Sequence, residues 1–348
     1  ARASRPPTGT NMTPTRRSFG RAQNGKGTIE RVCLMAKKRS NSKTTSEEER
    51  DLWEVGADRI AKMLQDASLT EGSERHRIRR NTASTSSHAN SLSPYRRDFM
   101  KIRDAKAFVT GGSGGLGAVI ARTLAEYGAD VAISYAGNRE AAELVARDIE
   151  DIGRKSLIVQ MDQVKPISID TAVDAVTSAF GGLDILVNNA AWNKAVPFAD
   201  LDALTPELWD RMHHTNLRGP YLVTRACAPY LKKSGNGRVV NISAFIGLSA
   251  EGSSIAHATA KAALIHLNRC LAVALAPDVT VNSVAPGLMD GTTMFNRISA
   301  DNTEAAKQRA VLKRHSSLSD VADQVLTFCR ADTVTGQVLV IDGGIVFH

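Results

Sequence analysis

The sequence predicts an α/β domain over residues 100–348: a doubly wound parallel sheet of about seven strands, covered by helices on both faces. Three observations predict it. Seven short runs are mostly apolar at consecutive positions, as expected of strands buried on both faces. Helical patterns of about 10–20 residues separate them, which gives a βα repeat. Charge also divides the chain. Residues 1–99 carry 20 Lys+Arg against 11 Asp+Glu, while residues 100–348 carry 24 against 25, so the net +8 belongs to the first region.

Residues 1–45 are rich in Arg, Ser, Thr, Asn and Gly, with Glu30 as their only acid. That composition buries too little to offset the entropy of ordering, so 1–99 reads as a disordered basic low-complexity extension. One short helix is expected within it, over 46–67. Ser46 and Glu49 have capping-box spacing, and Leu52, Val55, Ile60, Met63 and Leu64 form a loose apolar stripe. The Arg-rich, acid-poor start suits an organelle-targeting peptide. The Arg75, Arg77, Arg79, Arg80 cluster suits a nucleic-acid tail. No nucleic-acid partner is expected, because aromatics are sparse and no binding motif is visible. An extension without a function of its own is the third reading. The chain opens on Ala1, which reads as a fragment, a processed form or an upstream translation.

At Met100 the character changes, and this residue reads as the start of the folded unit. The strand runs are Ala107–Val109, Val131–Ser134, Leu157–Val159, Ile185–Val187, Val239–Ile242, Thr280–Val284 and Val338–Ile341. No stretch of about 18 apolar residues exists, so no membrane association is expected. Cys33, Cys227, Cys270 and Cys329 show neither CxxC nor metal-type spacing. They read as free thiols of a reducing compartment, hence cytoplasmic, with no metal.

The first strand ends in Thr110-Gly111-Gly112-Ser113-Gly114-Gly115-Leu116-Gly117, and a helical segment, Ala118 to Tyr127, follows with Gly128 at its C-terminal cap. Glycines there permit a tight turn and a close approach of backbone to a pyrophosphate. The free N–H groups of the helix start then face that anion. This is a Rossmann-type dinucleotide turn, with Gly111, Ser113, Gly115, Leu116 and Gly117 as cofactor-binding candidates. The second strand ends in Ser134-Tyr135-Ala136-Gly137-Asn138-Arg139. It offers no acid for a ribose 2′-hydroxyl. Arg139, with Asn138 and Ser134, suits a 2′-phosphate, so NADP(H) is favoured over NAD(H).

These residues resemble the classical short-chain dehydrogenase/reductase (SDR) family over about 100–346. Thr110-Gly111-x-x-x-Gly115-x-Gly117 matches its glycine motif, and Asp162 its adenine-contacting acid. Asn188-Asn189-Ala190-Ala191 resembles its Asn-Asn-Ala-Gly stretch, with Ala191 for Gly. Asn216 matches the tetrad Asn. Pro286-Gly287 with Thr292 and Thr293 resembles the nicotinamide-contacting segment, and Thr335-Gly336-Gln337 with Asp342-Gly343-Gly344 the closing signature. The resemblance therefore implies cofactor roles for Asp162, Asn188, Ala190, Lys261, Pro286, Gly287 and Thr292.

The same resemblance implies Tyr-x-x-x-Lys on a helix and a Ser thirteen residues before the Tyr. In that pattern Lys lowers the phenol pKa, Tyr exchanges a proton with the substrate oxygen, and Ser donates to it. Here the helix reads His257-Ala258-Thr259-Ala260-Lys261, and the Ser position holds Ala244. Asn216 and Lys261 match the tetrad, and His257 is the speculative acid/base. A neighbouring Lys261 ammonium favours neutral imidazole, which still carries one proton to donate. Ser243 should point to the opposite face, since side chains alternate along a strand. Three readings of His257 stand open: a donor acting through a water, a lost function in a chain that still holds nucleotide, and a decayed copy.

Trp192, Phe245, Met289, Met294 and Phe295 flank the motifs and suit an apolar substrate. Residues 287–310 read as a lid. The implied activity is hydride transfer between a nicotinamide cofactor and an alcohol or carbonyl. The rival is a catalytically impaired nucleotide-binding pseudoenzyme with a scaffold or sensor role. The family resemblance implies a homodimer or homotetramer.

Overall fold

The computed structural model describes residues 102–347. The extension 1–99, its helix at 46–67, Cys33 and Met100 lie outside the described residues. β1 (Lys106–Val109), β2 (Asp130–Tyr135), β3 (Ser156–Gln160), β4 (Ile185–Asn188), β5 (Gly237–Ile242), β6 (Val279–Pro286) and β7 (Val338–Ile341) form one sheet in the order β3-β2-β1-β4-β5-β6-β7. Every neighbouring pair is parallel. All seven expected strands are present, with ends moved by at most two residues.

Between them run α1 (Gly115–Glu126), α2 (Arg139–Asp151), α3 (Pro166–Phe180), α4 (Pro206–His213), α5 (Gly219–Lys233), α6 (Ile255–Leu275), α7 (Ala300–Arg309) and α8 (Leu318–Arg330). A π-helical turn, His214–Arg218, joins α4 to α5. Two apolar layers explain the consecutive apolar strands. Val109, Val131, Ile133, Val187 and Val240 pack with Ile120, Leu124, Val145 and Val325 from α1, α2 and α8. Phe108, Ala132, Leu186 and Val239 point the other way, toward Ile169, Val176, Val223, Leu231 and Leu275 from α3, α5 and α6. Alternate side chains of each strand serve opposite layers, and both layers are apolar. Burying a side chain such as fully enclosed Phe108 contributes about 1.5–3 kcal/mol.

α1 begins three residues before the expected Ala118. Gly115 and Gly117 are poor helix formers, but the first turn has few internal hydrogen bonds to lose. Leu116, buried in the first layer, holds the turn in place. Gly128 caps the segment with φ +97°, as expected. Strand order reverses between β1 and β4, and a crevice outside their carboxyl ends is where this architecture accepts a ligand.

Candidate active site

A cleft of about 1060 Å³ opens at these strand ends. One wall is the turn from β1 to α1, stitched to the end of β4. Thr110 Oγ1 accepts from the backbone N–H of Asn189 and of Ala190, both at 3.0 Å. Asn189 Nδ2 returns hydrogen bonds to the carbonyls of Thr110 (3.0 Å) and Gly111 (3.1 Å). Gly111 adopts φ +64°, and a Cβ there would stand 2.9 Å from Ala190 Cα. At Gly117 a Cβ would stand 2.3 Å from the Gly111 carbonyl oxygen. The turn therefore excludes side chains on its inner side.

On its cleft side the turn is open. A Cβ on Gly114 would meet nothing within 4 Å, and one on Gly115 only Thr292, at 3.7 Å or more. This bare backbone, at the N-terminus of the 12-residue α1, is a cradle that fits a pyrophosphate. The residues present therefore fit a dinucleotide. Of the cofactor-binding candidates, Gly111, Ser113, Gly115, Leu116, Gly117, Asn138, Asp162, Ala190, Lys261, Pro286, Gly287 and Thr292 line the cleft.

Asn188 and Arg139 do not. The side chain of Asn188 enters the protein interior, donating to Thr224 Oγ1 and Asn241 Oδ1, each at 2.9 Å. Asn241 donates onward to Asn268, and Asn268 to the Gln337 carbonyl. This buried amide chain ties β4, β5 and α6 to the residue preceding β7. Asn188 is a structural bracket, and its neighbour Asn189 faces the cleft. Arg139 opens α2 on an exposed face, where its Nε donates to Glu143 at 2.9 Å. That bond and the Glu143 charge raise its pKa further. Asn138 caps α2, accepting from the Ala141 N–H. Ser134 accepts from the Gly111 N–H at 3.1 Å.

The opposite wall is built by the end of β5 and the start of α6. Ala244, Ser243, His257 and Lys261 all line it. Ala244 offers a methyl group. Ser243 Oγ donates to the Val284 carbonyl and accepts from Ser283 Oγ, so its hydroxyl is committed to β6. Asn216 is also committed. Its amide brackets the backbone of Trp192, accepting from the N–H at 3.1 Å and donating to the carbonyl at 2.7 Å. It donates as well to the Met212 carbonyl. Asn216 does not itself line the cleft but holds the backbone of Trp192, which does, beneath the Arg211 guanidinium, 3.9 Å from its ring centre.

Lys261 is buried, and its Nζ donates to the Ile242 carbonyl at 2.8 Å. Burial pushes its pKa down to about 8. His257 is 3% exposed. Burial, and then the charge of Lys261, push its pKa down to about 3, so the imidazole is neutral at physiological pH. Ser254 caps α6 by accepting from the His257 N–H, and Ser253 Oγ lies 3.1 Å from His257 Nδ1. His257 Nε2 is buried without a partner. Of the four such side-chain atoms among the described residues, it alone belongs to a residue lining the cleft. A buried unpaired donor costs about 1–3 kcal/mol, which a ligand oxygen would recover.

A dinucleotide cradle facing a buried Lys261–His257 pair, in this sheet order, is the arrangement the sequence motifs foreshadow. The family model described as Enoyl-(Acyl carrier protein) reductase matches residues 111–346. The "ketoacyl reductase 2" of the granaticin polyketide synthase of Streptomyces violaceoruber is 39% identical over 68% of this chain and 94% of its own. The chain belongs to the short-chain dehydrogenase/reductase family.

Another SDR relative, the 3-oxoacyl-[acyl-carrier-protein] reductase FabG of Staphylococcus epidermidis, is 33% identical over 68% of this chain and 97% of its own. Among solved structures, a short chain dehydrogenase from Burkholderia cenocepacia in complex with NADP is 37% identical, with TM-score 0.65, over 70% of this chain and 99% of its own.

Sequence reasoning missed Asn189, Asn193, Arg211 and Ser253. Asn189 was signalled by its place one residue past a strand end, where facing alternates. Ser253 was signalled by its spacing of four from His257. Arg211 had no local signal. Of the apolar candidates, Trp192, Met289 and Met294 line the cleft, whereas Phe245 and Phe295 do not. Phe295 packs edge-on against His315. The expected lid, 287–310, contains a 3-10 turn at Phe295–Arg297 and the helix α7.

Proposed function

We propose that this SDR is an NADP(H)-dependent oxidoreductase that interconverts a carbonyl and an alcohol, with 3-oxoacyl thioesters as the first substrate class to test. The observation that carries the reading is the convergence, in one cleft, of the glycine cradle with Lys261 and His257. The relatives named as ketoacyl and 3-oxoacyl reductases support the substrate class. The NADP-bound neighbour, and the absence of an acid at the end of β2, support the phosphorylated cofactor. Arg139 would leave Glu143 to meet the 2′-phosphate.

A bound nicotinamide supplies or accepts a hydride at the carbon that bears the oxygen. The chain's own residues act on that oxygen. His257 offers Nε2 as a neutral hydrogen-bond donor, a role a neutral imidazole can fill without ionising. Lys261 Nζ, with a pKa near 8, holds a proton it can release close to neutral pH. Trp192, Met289 and Met294 supply an apolar wall for the substrate chain.

Assembly as a homodimer or homotetramer belongs to the proposal. Exposed Tyr221 on α5 and Val273 on α6 support it, and light scattering on the purified protein tests it. Among the described residues no helix is long and apolar enough to cross a membrane.

The deciding experiment titrates NADPH into the full chain by fluorescence, then follows NADPH oxidation with 3-oxoacyl thioesters and simple ketones. Binding with turnover is expected. Binding without turnover on any carbonyl would leave a nucleotide-binding pseudoenzyme.

A further inference from the structure

We propose that Asn193 and Ser253 set the tautomer of His257, so that Nε2 carries the ring hydrogen and donates it as a hydrogen bond to the substrate oxygen. This deepens the reading above and rests on it for the identity of the oxygen.

A serine hydroxyl has one hydrogen to give. Asn193 Nδ2 donates to Ser253 Oγ at 3.0 Å, taking one of the two acceptor sites of that oxygen. The amide cannot take the hydroxyl hydrogen, and among the described residues the one protein acceptor within its reach is His257 Nδ1, 3.1 Å away. Nδ1 becomes the acceptor, and the ring hydrogen goes to Nε2. The relay is held by backbone as well. The Val196 N–H donates to the Ser253 carbonyl at 2.8 Å, and Ser254 caps α6 directly beneath His257. Two adjacent serines thus divide the work: Ser254 fixes the helix start, and Ser253 orients the imidazole.

The consequence lies at Nε2, which is buried, has no protein partner and belongs to a residue on the cleft wall. Ala244 presents no donor there, and the Ser243 hydroxyl is already committed to β6. A substrate oxygen that reaches this wall would pair with His257 Nε2–H, the side-chain donor there without a protein partner, beside the Lys261 ammonium. Ser253 and Asn193 are positioning residues, acting through the imidazole.

The test is the 15N spectrum of His257 in the full-length protein labelled at histidine, with the signal assigned by its loss in His257→Gln. The expected result is a hydrogen on Nε2 and a bare Nδ1. In Asn193→Asp the new carboxylate accepts the Ser253 hydroxyl hydrogen, so the serine oxygen accepts from Nδ1–H and the tautomer inverts. Ser253→Ala frees the ring and gives a mixture, while Ser253→Thr retains the hydroxyl and the wild-type spectrum. In Asn193→Asp, kcat for carbonyl reduction falls about 10²-fold, the scale of a lost oxyanion donor, with NADPH affinity unchanged. A wild-type ring protonated on Nδ1, or a tautomer indifferent to Asn193→Asp, overturns the proposal. The expected spectrum in a chain that reduces no carbonyl would overturn the proposed function and the substrate-oxygen role, leaving the relay itself standing.

Discussion

The two walls of the cleft are made differently. The cofactor wall is backbone: glycines, a helix start and a strand end, where the absence of a side chain is the functional feature. The chemistry wall is side chains: an imidazole, an ammonium and a methyl group, oriented by serines and asparagines. The cofactor wall keeps the motif its relatives lead one to expect. The chemistry wall does not, since Ala244 and His257 stand where the family resemblance implies Ser and Tyr. On the inner side of the backbone cradle, at Gly111 and Gly117, a new Cβ has nowhere to go, and on its open side a side chain would fill the space the ligand needs. A side-chain donor can be exchanged for another wherever the neighbours can reorient it.

The two walls should come apart most clearly at His257. Replacing it with Phe should lower kcat for carbonyl reduction by about 10²–10³-fold, as losing one preorganised donor does. NADPH affinity, measured by fluorescence titration, should stay the same, because the cofactor wall is untouched. Equal loss of binding would mean that the two walls are not separable. The converse variant, Gly117→Ala, drives a Cβ against the Gly111 carbonyl and Asn189. It should cost about 3 kcal/mol of stability by thermal unfolding and remove NADPH binding with it.

A pH measurement sharpens the same contrast. The folded pKa of His257, about 3, lies below its usual value near 6.5. Between those values the unfolded chain takes up a proton that the folded one refuses, so stability falls as the pH is lowered from about 6.5 toward 3. The slope is at most about 1.4 kcal/mol per pH unit, and His257→Gln should remove that part of it in chemical denaturation. Ala244→Ser adds a hydroxyl to the chemistry wall and should raise kcat/KM up to about tenfold, the worth of one net hydrogen bond. The smallest effect belongs to exposed Arg139. Arg139→Ala should weaken NADPH relative to NADH by only about two- to fivefold, as an exposed charge pair allows.

Much of this was legible along the chain. Most of the strands announced themselves as consecutive apolar runs, because both faces of a parallel sheet are covered; the sixth, Thr280–Val284, carries buried Asn282 and Ser283 instead. The glycine turn was legible because glycine is irreplaceable where backbone packs on backbone. Even the departures at 244 and 257 could be counted out from Lys261. What could not be read was which way neighbours face and what they touch. Asn188 and Asn189 are adjacent and chemically identical, yet one is buried in the interior and the other lines the cleft. Arg139 carries the right charge beside the right strand, but stands on the exposed side of α2.

The sequence by itself determined the fold class, the order of the elements and the place of the nucleotide turn. Each rests on local rules: periodicity, backbone conformation and the space a Cβ needs. Only the tertiary structure decided that Ser243 is committed to β6, that Asn216 holds the backbone of Trp192, and that Asn193 reaches Ser253, which in turn reaches His257. Those relations join residues up to sixty positions apart, and a hydroxyl or amide can donate in several directions. Its role is settled by the partners that folding brings within about 3 Å of it.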